Sequence, residues 1–344
     1  MPRWVLKAAL QGFLSHLPGG RSINRLFQKH VTRSLDLTAP RFEEKIRQCR
    51  THLENFYSAA PPGRFPARVF ELGTGWHPVI PVGFYLCGAR DVWTADKERL
   101  LDRGSVMRVL RMYLEHAWSG ALDGLLPGVM KQRIARLESV LRSAGSSSPS
   151  DLLEQIDVHF VVGDVRHSKL KESSIDLIMS NYTLEHIPLD VLRGIMMELR
   201  RLASGGAVVS HLIDLSDHYS HFDRSISSLN FLKYPGWLWN LCNNSLQYQN
   251  RLRIPDYRTL HESAGFRVVA EENVRDPKGL ARGTRAARGL AECTIDEMRV
   301  TESWMVLVPD REPPQPGETP VAGLVSLRDA PAQKKSWDAS FQRK

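Results

Sequence analysis

The sequence predicts an α/β fold in which a seven-stranded, mostly parallel sheet is covered by helices on both faces. Three observations carry this prediction. From Arg68 to Pro309, short apolar runs of strand type alternate with segments of helical period, the pattern of a sheet built from crossover units. The first run ends in a glycine turn at Gly73 and Gly75, where the backbone must bend sharply into a helix. The last two apolar runs have no obvious helix between them, so the seventh strand is expected to enter antiparallel.

The elements follow in order. Residues 1–66 read as a helical N-terminal extension, broken at "LPGG" and closed by the linker "AAPPGRFP". "ARVFELG" is the first strand, "PVIPVGFYLCG" a helix and "DVWTAD" the second strand. Residues 97–157 are a helical insertion between strands two and three, containing "KQRIARLESVLRSAG". "VHFVVGD" and "SIDLIMSN" are strands three and four. "PLDVLRGIMMELRRLASGG" is a strongly periodic helix, with Pro188 in its opening turn and Gly205–Gly206 expected as its stop. "AVVSHLIDL" is strand five, and residues 216–253, rich in Trp, Tyr and Asn, read as a loop-rich lid. "IPDYRTLHESAG" is a helix, and "FRVVAEENV" and "ESWMVLVPD" are strands six and seven, joined by a basic loop at 275–289. Residues 310–344 are proline-rich and weakly apolar, which predicts a disordered tail.

At 344 residues, with 42% hydrophobic and 24% charged residues, the chain can bury a full core. Its net charge of +8 is concentrated in two places. Residues 1–60 hold ten Lys and Arg against four Asp and Glu, and Arg275–Arg288 holds five against one. The four cysteines stand far apart with no zinc spacing, which suits free thiols in a reducing, cytoplasmic setting. No stretch is apolar for long enough to span a bilayer. The N-terminus interleaves Trp4, Leu6, Leu10, Phe13, Leu14 and Leu17 with Arg3, Lys7 and Gln11. That pattern is too interrupted for a signal-peptide core and fits an amphipathic helix, packed on the protein's own core or lying peripherally on a membrane.

The glycine turn raises the question of its ligand. In an open α/β sheet a ligand sits at the carboxyl ends of the strands. Asp96 ends the second strand, 25 positions after Glu71, where a carboxylate can accept both hydroxyls of a ribose. A dinucleotide loop needs G-x-G-x-x-G, yet the last position here is Pro78, after the bulky Trp76 and His77. A ligand with a ribose and no phosphates fits better.

At this point Arg68 to Pro309 resembles the class I S-adenosylmethionine-dependent methyltransferases, in particular the methyltransferase type 11 group, whose sheet is Rossmann-like. "ELGTGWH" matches that family's first loop through Gly75 and departs at His77, where a third glycine is usual. "SNYTLEHIP" matches its S-x-x-V-L-E-H stretch after strand four. The resemblance implies S-adenosylmethionine as cofactor and residues 67–309 as the methyltransferase domain. It implies that Glu71, Gly73, Thr74 and Gly75 surround the methionyl end and that Asp96 binds the ribose. Asp164 and the Val165 amide would meet the adenine, with Ser180, Asn181 and Tyr182 near the sulfonium.

The acceptor side is more open. "SHLIDLSDHYSHFD", running off strand five, crowds His211, Asp214, Asp217, His218, His221 and Asp223 together. One reading is a general base with an orienting carboxylate, His218 or His221 with Asp214 or Asp217. Another is a divalent metal site that organises a diol. The third is an ordinary polar loop. No clean i, i+4 His pair or facial triad appears, so no metal ligand is assigned. Phe231, Tyr234, Trp237, Trp239 and Tyr248 lie among amides, which suits a saccharide, aromatic or lipid-linked acceptor, or simple packing of a lid. The expected activity is O-methylation of a small-molecule or carbohydrate-type acceptor. RNA or another nucleic acid is the alternative acceptor, but "SNYT" lacks the prolines of amino-adenine methylation and the basic loop lacks interleaved aromatics. A non-catalytic cofactor-binding scaffold is the remaining alternative. Acceptor identity and oligomeric state are not legible.

Overall fold

A computed structural model describes residues 3–17, 36–244, 246–278 and 292–310. The expected tail and most of the basic loop lie outside them.

Among the described residues, α1 (Arg3–Ser15) and α2 (Ala39–Ala59) precede the sheet. The sheet then begins with β1 (Arg68–Leu72), α3 (Val79–Leu86) and β2 (Asp91–Asp96). Four helices follow before the third strand: α4 (Arg103–Trp118), α5 (Ala121–Leu125), α6 (Lys131–Arg142) and α7 (Pro149–Glu154). β3 (Val158–Val162), β4 (Ile175–Asn181), α8 (Leu189–Leu202) and β5 (Ala203–Asp214) continue the alternation. After α9 (Gly236–Cys242) and α10 (Ile254–Ser263) come β6 (Phe266–Arg275), the single turn α11 (Ile295–Met298) and β7 (Val300–Pro309).

The seven strands lie in the order β3-β2-β1-β4-β5-β7-β6. β1 to β5 pair parallel, and β7 runs antiparallel between β5 and β6. The chain works outward from β1 to β3 and then returns to β4 beside β1. That reversal opens a crevice at the carboxyl ends of β1 and β4.

Hydrophobic patterning decides which face each helix covers. Every residue of α3 is buried, as expected of a uniformly apolar helix, and it lies in one core with α2, α4, α6 and α7. On the opposite face α8 presents Leu192, Ile195, Met196, Leu199 and Leu202 to β4 and β5, with α10 alongside. Each such side chain contributes roughly 1.5–3 kcal/mol by leaving water. A third cluster joins Trp4 and Ala8 of α1 to Tyr219, Phe231 and Trp239 of the lid.

Gly205–Gly206 is not a helix stop. α8 ends at Leu202 and β5 begins at once. Ala203 pairs with Ile175, but the register then slips so that Val208 faces Leu177. The extra residues bulge out, and a Cβ on Gly206 would come within 2.8 Å of the Arg64 guanidinium. Gly206 admits that arginine, and the pair does not end the helix.

Candidate active site

The loops after β1, β2, β4 and β5 meet at the crevice. The turn after β1 needs its glycines. Gly73 has φ +92° and a Cβ there would lie 2.2 Å from Thr183 Oγ1, while Gly75 has φ +65° and open space where a Cβ would stand. Behind the turn Glu71 is buried and accepts a 2.6 Å hydrogen bond from Thr94 Oγ1. Burial pushes its carboxyl up to about 7, against the opposing Thr94 bond and the Lys45 charge. Thr74 is buried too, its hydroxyl 2.5 Å from that of Thr94.

Asp96 links the two turns. Its carboxylate accepts from the Gly75 amide at 3.0 Å and from the Glu98 amide at 3.1 Å. The half-exposed group is thereby held at the crevice mouth beside the open glycine. Asp164, after β3, is exposed and ion-paired at 2.5 Å with Arg166, whose hydrogen bonds hold its carboxyl down at about 2. Val165 beside it is buried. A glycine cradle open at Gly75 and Gly163, with the Asp96 carboxylate fixed beside it, fits a ribose-bearing cofactor. Trp76 and His77 line a separate cavity of about 380 Å³ with Asp102 and Arg108.

The residues at the end of β4 and just after it divide. Ser180 is fully buried and its hydroxyl is 2.7 Å from His211 Nδ1. Asn181 Oδ1 lies 3.1 Å from His52 Nε2, and His52 Nδ1 lies 2.8 Å from Ser210 Oγ. Tyr182 has φ +49°, an uncommon conformation for a non-glycine residue. Its hydroxyl donates to Glu302 of β7 at 2.8 Å.

Beyond them opens a cavity of about 750 Å³ lined by Tyr182, Glu185, Asp214, His218, His221 and Glu302. Asp214 accepts from Ser216 Oγ at 2.6 Å, and that oxygen is 3.2 Å from His221 Nε2. His218 Nε2 is 3.1 Å from Asp214 Oδ2, an ion-pair approach off the hydrogen-bond direction. Burial raises the Asp214 carboxyl, but the His218 and Ser216 contacts outweigh it, so it sits below its usual value.

Asp217 and Ser180 are not on the cavity wall. Asp217 is fully buried, capping the turn at His218–His221 through the Tyr219 amide at 2.9 Å. Burial pushes it up to about 6. Asp223 likewise turns inward and receives the Trp4 amide at 3.1 Å. His211 is a core histidine. Phe231 and Trp239 pack under α1, whereas Trp237 is 70% exposed.

Sequence reasoning passed over three residues. His52 comes from α2, over a hundred positions from its partner Asn181, and no local signal marks it. Glu302 sits on the reversed strand. Glu185 lies inside the quoted "LEH" stretch, where its burial could not be read. One ligand atom each from Glu185, His186 and His218 falls within 4.8 Å of the others. That cluster escaped the spacing search because its members come from two turns joined only by the fold.

The family model described as a methyltransferase domain matches residues 133–210, from α6 into β5. A search of curated proteins finds no match. Among solved structures, the PH0226 protein of Pyrococcus horikoshii is 14% identical, with 84% of this chain and 99% of that chain covered at a TM-score of 0.43. The 1,6-didemethyltoxoflavin-N1-methyltransferase of Burkholderia thailandensis, with S-adenosylhomocysteine bound, is also 14% identical, covering 84% and 87% at 0.42. A Haloferax volcanii complex of the Trm112 activator with a methyltransferase gives 14%, 78%, 93% and 0.40. At those scores the likenesses carry no argument of their own. The match over residues 133–210, taken with the sheet order, the reversed seventh strand and the glycine cradle, supports an S-adenosylmethionine-dependent methyltransferase.

Proposed function

We propose that the chain O-methylates a small-molecule or carbohydrate-type acceptor held in the 750 Å³ cavity, with His221 as general base. The line His221–Ser216–Asp214 carries this reading. Ser216 spends its only hydroxyl proton on Asp214, so its oxygen accepts from His221 Nε2–H. Nδ1 of His221 then holds the lone pair. S-adenosylmethionine, when bound, supplies an electrophilic methyl group on a sulfonium. His221 would take the proton of the acceptor hydroxyl as that oxygen accepts the methyl group, and the electron pair of the carbon–sulfur bond would stay with sulfur. Asp214 stabilises the imidazolium through Ser216. Glu71, Gly73, Thr74, Gly75 and Asp96 are the proposed cofactor contacts at the near end of the crevice, with Asp164 and Val165 toward adenine and Asn181 and Tyr182 toward the methyl group.

His221→Ala is expected to lower kcat about 100-fold or more. S-adenosylhomocysteine affinity by calorimetry should not change. Turnover at the wild-type rate, on whichever sugar or phenol the wild type accepts from a panel, would remove His221 from the reaction.

A lipid-linked acceptor has its own supporting observation. α1 buries Trp4 and Ala8 and leaves Leu6, Leu10 and Phe13 more than half exposed. Trp237 and Leu241 of the adjacent α9 are more than two-thirds exposed. Among the described residues no helix is long and apolar enough to cross a membrane. We read this outer face, with exposed Arg3 and Lys233 beside it, as a peripheral contact for an anionic membrane surface.

A further inference from the structure

Glu185 stands in the turn after β4, only 1% exposed, and neither of its carboxylate oxygens has a hydrogen-bond partner. A carboxylate held that way calls for a proton or a cation. Two imidazoles face it. Glu185, His186 and His218 each bring one ligand atom within 4.8 Å of the other two. The His186 and His218 rings meet edge to face with centroids 4.9 Å apart.

The surroundings orient the His186 ring as metal-ligating histidines are oriented. His186 Nδ1–H donates to the Tyr248 carbonyl at 2.9 Å, which leaves the lone pair on Nε2. His218 Nε2 has the Asp214 carboxylate 3.1 Å away, a negative charge that favours a cation beside it. These contacts come from the lid and from the end of β5, so the fold, not the local sequence, assembles the set.

We propose that Glu185, His186 and His218 bind a single first-row divalent cation, of the Zn²⁺ or Mn²⁺ class, in the wall of the acceptor cavity. Two imidazoles and one carboxylate is the donor set of catalytic zinc sites and of open facial sites, and it disfavours Mg²⁺ and Ca²⁺, which prefer oxygen. Glu185 and His218 both line the cavity, so the remaining coordination positions face the acceptor. An acceptor oxygen bound there loses its proton more readily. His221, whose ring stacks on His218 with centroids 5.6 Å apart, is placed to take it. This role of the cation rests on the cavity receiving the acceptor; the binding of the cation does not.

The test uses the full chain, stripped with chelator and titrated calorimetrically with MnCl₂ and, separately, ZnCl₂. One equivalent of cation is expected per chain. Glu185→Gln and His186→Ala should each weaken its binding about 100-fold or more. Titration of each variant with S-adenosylhomocysteine shows that the cofactor crevice is still folded. A stripped wild type that binds S-adenosylhomocysteine but takes up no cation would overturn the site. So would uptake that both variants leave unchanged. Neither result touches the O-methylation reading, which stands or falls with His221→Ala.

Discussion

Glu71 shows what a single buried carboxyl does to the pH response of the protein. Its pKa rises from an ordinary 4.5 to about 7, chiefly through burial at the end of β1. The folded state therefore binds its proton more tightly than the unfolded chain does. Stability from this group is full below the unfolded value of 4.5 and is lost as pH rises through about 7. The size is about 3 kcal/mol at most. Glu71→Gln should make urea-unfolding free energies less dependent on pH between 5 and 8, and an unchanged slope would place that dependence elsewhere. Asp217 responds in the same direction, with its carboxyl at about 6, so the slope should shrink rather than vanish. At this scale the sequence offered the right residue types and could not tell inward from outward. Asp214 and Asp217 are three positions apart, yet one lines the cavity and the other caps a turn. The difference depends on which way the chain bends after β5, and neither residue announces it.

Among the elements, α2 has the role least visible in the sequence. It read as part of an extension ending at a proline-rich linker. In the fold its Phe42, Ile46, Leu53 and Phe56 are buried in the same core as α3 and α4. His52 and Asn55 reach Ser210 on β5. Burial lowers the His52 ring to about 4, so it sits neutral between Ser210 and Asn181 at physiological pH. We propose that the folding unit begins at α2 rather than at residue 67. Removing residues 1–35 should leave a cooperative melt and intact S-adenosylhomocysteine binding. Removing residues 1–66 strips four large apolar side chains, roughly 6–12 kcal/mol at the usual burial values, comparable with a whole domain's stability of about 5–15 kcal/mol. A cooperative thermal melt from residues 67–344 would refute that boundary.

For the whole molecule, the fold sets two working surfaces close together. The cavity opens beyond the ends of β4 and β5, and the segment His218–Trp239, which leads from its wall, packs beneath α1. On the proposed membrane reading, an acceptor carried in the bilayer would enter beside the exposed face of α1. Co-sedimentation with vesicles of phosphatidylcholine and phosphatidylserine should show binding that weakens with salt. The triple substitution Leu6→Ser, Leu10→Ser and Phe13→Ser should abolish it without changing S-adenosylhomocysteine affinity. Equal sedimentation of the triple variant would leave α1 as a brace for the lid alone.

The order of strands and helices, the reversed last strand and the glycine turn were determined by the sequence alone. Each follows from local patterning: a period of two or of 3.6, a residue that tolerates positive φ, and the absence of a helix between two apolar runs. The cofactor class was legible through the family resemblance that "ELGTGWH" and "SNYTLEHIP" carry. Only the tertiary structure decided the rest. It brought His52 to Asn181 across 129 positions and joined Glu185 and His186 to His218. It also buried Asp217 and Ser180, and turned Gly205–Gly206 from a helix stop into a bulge that receives Arg64. Those outcomes depend on how separate segments pack against one another, and the energy of packing is not written in any one segment.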